Sequence, residues 1–218
     1  MTRHIVLLGD SIFDNLAYTG GDPDVVSHLR AILPTGWRAS LCAVDGSTTA
    51  GLRSQLKHVV PDASHLVVSV GGNDALGNSD LLSLPVRSTT EALALFAERV
   101  EEFESDYRAA IGGVLELDRP TTVCTVYNGN FPDPEHGRLA TLALTLFNDV
   151  ILRTAFDQGL SVIELRLICS EPGDYANPIE PSGPGGLKIA RAIAPAVGAL
   201  DEAMGVSRVW AGRPGGSR

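Results

Sequence analysis

Positive charge, cysteine, histidine and long apolar runs are all scarce in this chain. Across 218 residues, 17 Lys and Arg face 26 Asp and Glu, giving a formal net charge of −9. A surface that grips phosphates needs clustered positive charge, so the deficit argues against nucleic acid and anionic membranes as partners. Three cysteines (Cys42, Cys124, Cys169) are odd in number, widely spaced, and sit in or beside apolar runs. Buried free thiols are therefore expected rather than a disulfide. No His, Cys or carboxylate cluster has metal-ligand spacing, and neither a metal nor another cofactor is expected. Met1-Thr2-Arg3-His4 leads directly into a strand-length apolar run, without a signal-type apolar region or a small-residue cleavage site. A cytoplasmic protein with no membrane partner is the expectation. No histidine follows His136, so the C-terminal third of the chain has no imidazole to offer as a base.

What is present is a hydrophobic content of 44%, enough for one good core in a chain of this length. Short apolar runs near residues 4–9, 37–43, 65–71, 121–127 and 160–167 read as five strands. They alternate with helical spacing over 24–33, 48–58, 91–114, 134–157 and 183–203, the pattern of a parallel sheet covered on both faces. Leu93, Phe96, Val100, Phe103 and Tyr107 form one stripe, expected to contact the core. The stretch 75–88 has no clear period and reads as a loop folding over a site. One domain over residues 1–205 is predicted, with a flexible Gly-rich tail over 206–218. There is no internal repeat.

Two strand ends carry chemistry. Gly9-Asp10-Ser11 closes the first apolar run and Gly71-Gly72-Asn73-Asp74 closes the third. In a doubly wound sheet of order 2-1-3-4-5 these strands are neighbours at the reversal of strand order, and ligands bind beyond their carboxyl ends. Ser11 and Asn73 would then face one crevice, as a nucleophile and an oxyanion donor. Asp10 and Asp74 read as anchors of their turns. His136 belongs to a loop after the fourth strand and is a possible alternative base. Arg166 and Lys188 read as surface residues.

The Gly9-Asp10-Ser11 and Gly71-Gly72-Asn73-Asp74 blocks resemble those of the SGNH, or GDSL-type, hydrolases. The resemblance implies a three-layer α/β/α sandwich, a flavodoxin-like fold with a five-stranded parallel sheet of order 2-1-3-4-5. It implies Ser11 as nucleophile, and an oxyanion hole built from the Ser11 N–H, the Gly46 N–H in Val44-Asp45-Gly46-Ser47, and the Asn73 amide. Near the C-terminus the family carries Asp-x-x-His-Pro-Ser, whereas this chain reads Asn177-Pro178-Ile179-Glu180-Pro181-Ser182. The flanks keep the register while both functional positions change together.

An aspartate beside a glutamate would be a like charge, whereas an asparagine can donate an amide N–H to it. Glu180 is therefore expected as base in place of histidine, oriented by Asn177. A free glutamate is the weaker base by about two pKa units, roughly 3 kcal/mol of proton affinity. Burial and a neighbouring acid such as Asp174 or Asp10 would raise it. The expected activity is cleavage of a small-molecule carboxylic ester, short acyl, acetyl or thioester, through an acyl-enzyme. The alternative is a catalytically impaired relative that binds an acyl or carbohydrate ligand without turnover.

Overall fold

The computed structural model describes residues 3–201, 207 and 209. The predicted domain boundary at 205/206 and nearly all of the predicted tail lie outside these residues. Five parallel strands, β1 (Arg3–Gly9), β2 (Trp37–Leu41), β3 (His65–Ser69), β4 (Thr121–Cys124) and β5 (Ser161–Ile163), form one sheet of order β2-β1-β3-β4-β5. This is the α/β/α arrangement the resemblance implied.

Both faces of the sheet are covered, because alternate side chains along the apolar runs point to opposite sides and every one must be buried. Ile5, Leu7 and Val67 join a core with Val25 and Leu29 of α1 (Val25–Ile32) and with Ile189 and Ile193 of α7 (Gly183–Ala196). Val6, Leu8, Leu66 and Val68 join a second core on the other face. There they meet Leu52 of α2 (Leu52–Leu56), Phe103, Tyr107 and Ile111 of α4 (Thr89–Leu115), and Phe147 and Ile151 of α5 (Pro134–Gln158). By length and composition α5 could cross a membrane; here it is a flanking helix whose apolar side supplies that second core.

Four strands, β2 to β5, end earlier than the apolar runs suggested, since the residues beyond them serve as loops at the carboxyl end of the sheet. Past β4, the N–H and C=O of Val126 are held by the Asn148 side chain at 2.8 Å each. Past β5, the chain turns directly into α6 (Leu165–Ile168). The segment 75–88 is more ordered than a plain loop: α3 (Gly72–Gly77) is followed by a 3-10 turn over Ser79–Leu82. The apolar stripe of α4 divides along its length. Phe103 and Tyr107 are core, Phe96 lines a cleft, and Leu93 is exposed. The last helix stops at Ala196, before the predicted end at 203.

Candidate active site

The crossing from β1 into the Ser11 turn demands a glycine. Gly9 has φ +131°, and a Cβ there would lie 1.7 Å from the carbonyl oxygen of Ser69 on β3. Only a residue without a side chain lets the two strand ends approach so closely. The buried Gln55 then clamps Gly9, accepting from its N–H at 2.8 Å and donating to its carbonyl at 2.7 Å. Asp10 holds the turn itself. Its Oδ1 accepts the Ile12 N–H at 3.1 Å, and its carbonyl accepts the N–H groups of Phe13 and Asp14.

Ser11, 6% exposed, and Glu180, 7% exposed, line the same cleft. The Ser11 hydroxyl acts on the Glu180 carboxyl as a hydrogen-bonding group, while Glu180 Oε2 is buried without a partner. A nucleophile–base pair commonly tightens only when substrate is bound. Burial raises the Glu180 pKa, the Ser11 hydroxyl opposes that rise, and the negative charge of Asp45 adds to it. The expected neighbour Asp174 plays no part, because its carboxylate pairs with Lys188 at 2.7 Å and caps the N–H groups of Ser170 and Glu171. Arg166 likewise is engaged, by Glu164.

Asn177 requires a correction. Its side-chain oxygen accepts the backbone N–H groups of Ile179 and Glu180, at 2.9 and 3.0 Å, and it orients Glu180 through the main chain rather than by donating to the carboxylate. An asparagine two to three residues ahead of free N–H groups closes such a turn more readily than it reaches a distant side chain. The loop is braced further by Tyr127 Oη donating to the Ile179 carbonyl at 2.7 Å and by Asn15 Nδ2 donating to the Pro181 carbonyl at 3.2 Å. Asn15 sits four residues past Ser11, so it ties the nucleophile turn to the Glu180 loop.

Asn73 lines the cleft in the first turn of α3, and its Nδ2 donates to the Ser47 carbonyl at 2.9 Å. An amide nitrogen carries two hydrogens, so this bond fixes the group while leaving one donor. Asp74 anchors the same turn through the Thr49 N–H and hydroxyl. Gly46, at φ +75°, is exposed and stands beside the cleft rather than in its wall. His136 lines the outer part of the cleft in the first turn of α5, edge-on to Phe131 with ring centroids 5.0 Å apart.

From Ser11 the cleft, about 320 Å³, runs between α3, α4 and α5 over an apolar wall that includes Ile12, Leu82, Phe96, Leu144 and Phe147. The fully buried Asp10 shares it, and burial pushes its carboxyl up to about 7, with the charges of Glu180 and Asp74 adding to the rise against the Ile12 N–H. Among the described residues, no three His, Cys, Asp or Glu side chains converge as a metal-binding group.

Sequence reasoning missed the polar clamps Gln55, Asn148 and Asn15, and the carboxylate Asp45 beside Glu180. The available signal for the first two was a lone amide side chain on an otherwise apolar helical face.

Residues 7–185 match the family model described as GDSL-like lipase/acylhydrolase. The chain belongs to the GDSL-like lipase/acylhydrolase family. Solved structures with the same fold include an extracellular lipase from Streptomyces rimosus, at 18% identity and a TM-score of 0.66, covering 89% of this chain and 100% of that one. Another is the phospholipase A1 of Streptomyces albidoflavus NA297, at 16% identity and 0.67, covering 90% and 100%. A third is the acetylxylan esterase Axe2 of Geobacillus stearothermophilus, at 19% identity and 0.58, covering 90% and 94%. No curated protein sequence matches. Within this member of the GDSL-like family, Gly9 ends β1 while Ser11 and Asn73 follow the adjacent strands β1 and β3, which brings them to one end of the sheet.

Proposed function

We propose that this GDSL-like protein is a serine ester hydrolase in which a glutamate replaces histidine as the general base. Ser11 Oγ attacks the ester carbonyl while Glu180 takes the hydroxyl proton. The negative charge passes from Glu180 to the substrate oxygen, where the Ser11 N–H group and the remaining Asn73 amide hydrogen receive it. Protonated Glu180 then gives its proton to the departing alkoxide, leaving the acyl group on Ser11. In the second half Glu180 removes a proton from water, which attacks the acyl carbon and frees the serine.

The reading rests above all on the juxtaposition of the Ser11 hydroxyl and the buried Glu180 carboxyl at the head of an apolar cleft. Family membership and the carboxylic-ester chemistry named for the lipase, phospholipase and acetylxylan esterase relatives support it. The charge count makes the oxyanion donors decisive: no ion pair forms on attack, so a single negative charge is transferred and must be received well.

The test is hydrolysis of a p-nitrophenyl acyl ester across pH by the native protein, Ser11→Ala, Glu180→Gln and His136→Ala. Glu180 must be ionised to act, and its pKa is raised above 4.5, so kcat/KM should climb with pH through a midpoint above that value. Glu180→Gln should lose about 100- to 10,000-fold, the usual worth of a general base, and His136→Ala should lose little. Activity that survives Glu180→Gln but not His136→Ala would transfer the base role to His136. Equal residual rates in all four proteins would leave a ligand-binding relative without turnover.

A further inference from the structure

The walls of the cleft stand well above the sheet. Phe103 of α4 lies at the end of β3, where a Cβ on Gly71 would come within 3.1 Å of its ring. Asn148 of α5 lies just past the end of β4, where it holds both main-chain groups of Val126. Thr89 begins α4 fourteen residues before Phe103, and Pro134 begins α5 fourteen residues before Asn148. At a rise of about 1.5 Å per residue, each helix overhangs the carboxyl edge of the sheet by roughly 20 Å. The third wall is α3 with the 3-10 turn after it, through Ala75, Leu76 and Leu82.

The slot between these walls is mainly apolar. Phe147, 2% exposed, closes its base, with its ring 5.1 Å from that of Phe103. Above it, Phe96 of α4 faces Leu144, Ala143 and Ala140 of α5, whose spacing puts them on one side of that helix. The carboxyls of the cleft, Asp10 and Glu180, belong to its head with Ser11, and no Lys or Arg lines it. Asn78, Ser79, Thr141 and, at the rim, His136 are the polar side chains above the head. Ala140 precedes Asn148 by eight residues, which puts it about 12 Å higher. A larger side chain there would cross the slot.

Glu180 gives its proton to the leaving oxygen, so the alcohol departs toward the Glu180 loop, which leads into α7 on the opposite face of the sheet from α4 and α5. The acyl group is then the part of the ester directed between α4 and α5. We infer that this slot takes a linear acyl chain of about eight to ten carbons and that Ala140 sets the length it admits. With C–C bonds of about 1.5 Å, an extended alkyl chain advances about 1.3 Å per carbon, so about nine carbons span the rise from Asn148 to Ala140. An acetyl group would leave most of that apolar wall in water. This inference rests on the ester-hydrolase reading and names its acyl group.

The experiment measures kcat/KM for p-nitrophenyl acetate, butyrate and octanoate, below the concentrations at which they form micelles, in native protein, Ala140→Leu and Ala140→Phe. A fully buried methylene is worth about fourfold in binding and a half-buried one about twofold. The four methylenes between butyrate and octanoate should therefore favour octanoate by about 16-fold or more in native protein. The octanoate-to-acetate ratio should fall about threefold in Ala140→Leu and about tenfold or more in Ala140→Phe. A ratio does not depend on how much of a variant is folded. A native octanoate-to-butyrate ratio near unity or below, or an octanoate-to-acetate ratio that both variants leave unchanged, overturns the inference while leaving ester hydrolysis standing. A flat acyl series beside a strong preference for octyl over ethyl acetate would put the chain on the alcohol side and overturn it too. Should no ester turn over, the hydrolase reading fails by itself, and calorimetric titration with octan-1-ol reads the slot directly. Binding that Ala140→Phe abolishes supports the slot; no binding to native protein overturns it.

Discussion

Replacing Asp10 by asparagine should remove a loss of stability that the native protein suffers as pH rises. The carboxyl is fully buried, and its pKa is raised from the ordinary 3.8 to about 7, first by burial and then by the charges of Glu180 and Asp74. Between those two values the folded protein holds a proton that the unfolded chain has released, so stability falls as pH rises. The interval corresponds to roughly 4 kcal/mol, fully present below about pH 4 and lost by the time pH passes 7. An asparagine in its place would present the same oxygen to the Ile12 N–H without a titrating group. In urea titrations the Asp10→Asn variant should therefore gain on the native protein by roughly 3 kcal/mol between pH 5 and pH 8. The comparison cancels other titrating groups that the two proteins share. Because Glu180 contributes to the rise, the gain should shrink in a Glu180→Gln background. A gain below about 1 kcal/mol, or one of the opposite sign, would mean that Asp10 is ionised in the fold and that the buried carboxylates are compensated in some way the account lacks.

Two further substitutions separate chemistry from scaffolding. Asn73→Ala removes the amide that is fixed to Ser47 and should lower kcat by about 100- to 1,000-fold with little change in KM, as loss of an oxyanion donor does; steady-state kinetics on a soluble ester reads this. Gly185→Ala puts a Cβ 2.1 Å from the Asp174 carbonyl oxygen at the base of the Glu180 loop. It should cost about 1–3 kcal/mol of stability, as overpacking usually does, measured as a lower urea midpoint.

The central strands β1 and β3 were legible in the sequence because both faces of the sheet are buried there, so each carries an unbroken apolar run with a turn signal after it; the sheet order was legible through the family resemblance. The same rule explains why strand ends were overestimated. Val126 and Leu165 are apolar for reasons of loop packing and the short α6, which a run of apolar letters does not distinguish from strand. The sequence also pointed to Ser11, Asn73 and Glu180, which the fold brings to one cleft. It misjudged how Asn177 acts, since donating to a side chain and accepting from a nearby backbone are equally available to an amide, and only coordinates choose between them. Asp45 escaped notice for a related reason: its effect on Glu180 comes from the meeting of the β2 and Glu180 loops, 135 residues apart in sequence, and no local pattern encodes that meeting.

The most direct measurement of the central claim, that Glu180 activates Ser11, is the rate at which a fluorophosphonate ester attaches to the protein, followed by peptide mass spectrometry. A single adduct is expected, on the peptide containing Ser11. It should form at least about 100-fold more slowly in Glu180→Gln and at nearly the native rate in His136→Ala. An adduct on another residue, or labelling of Ser11 that Glu180→Gln leaves unchanged, would contradict it.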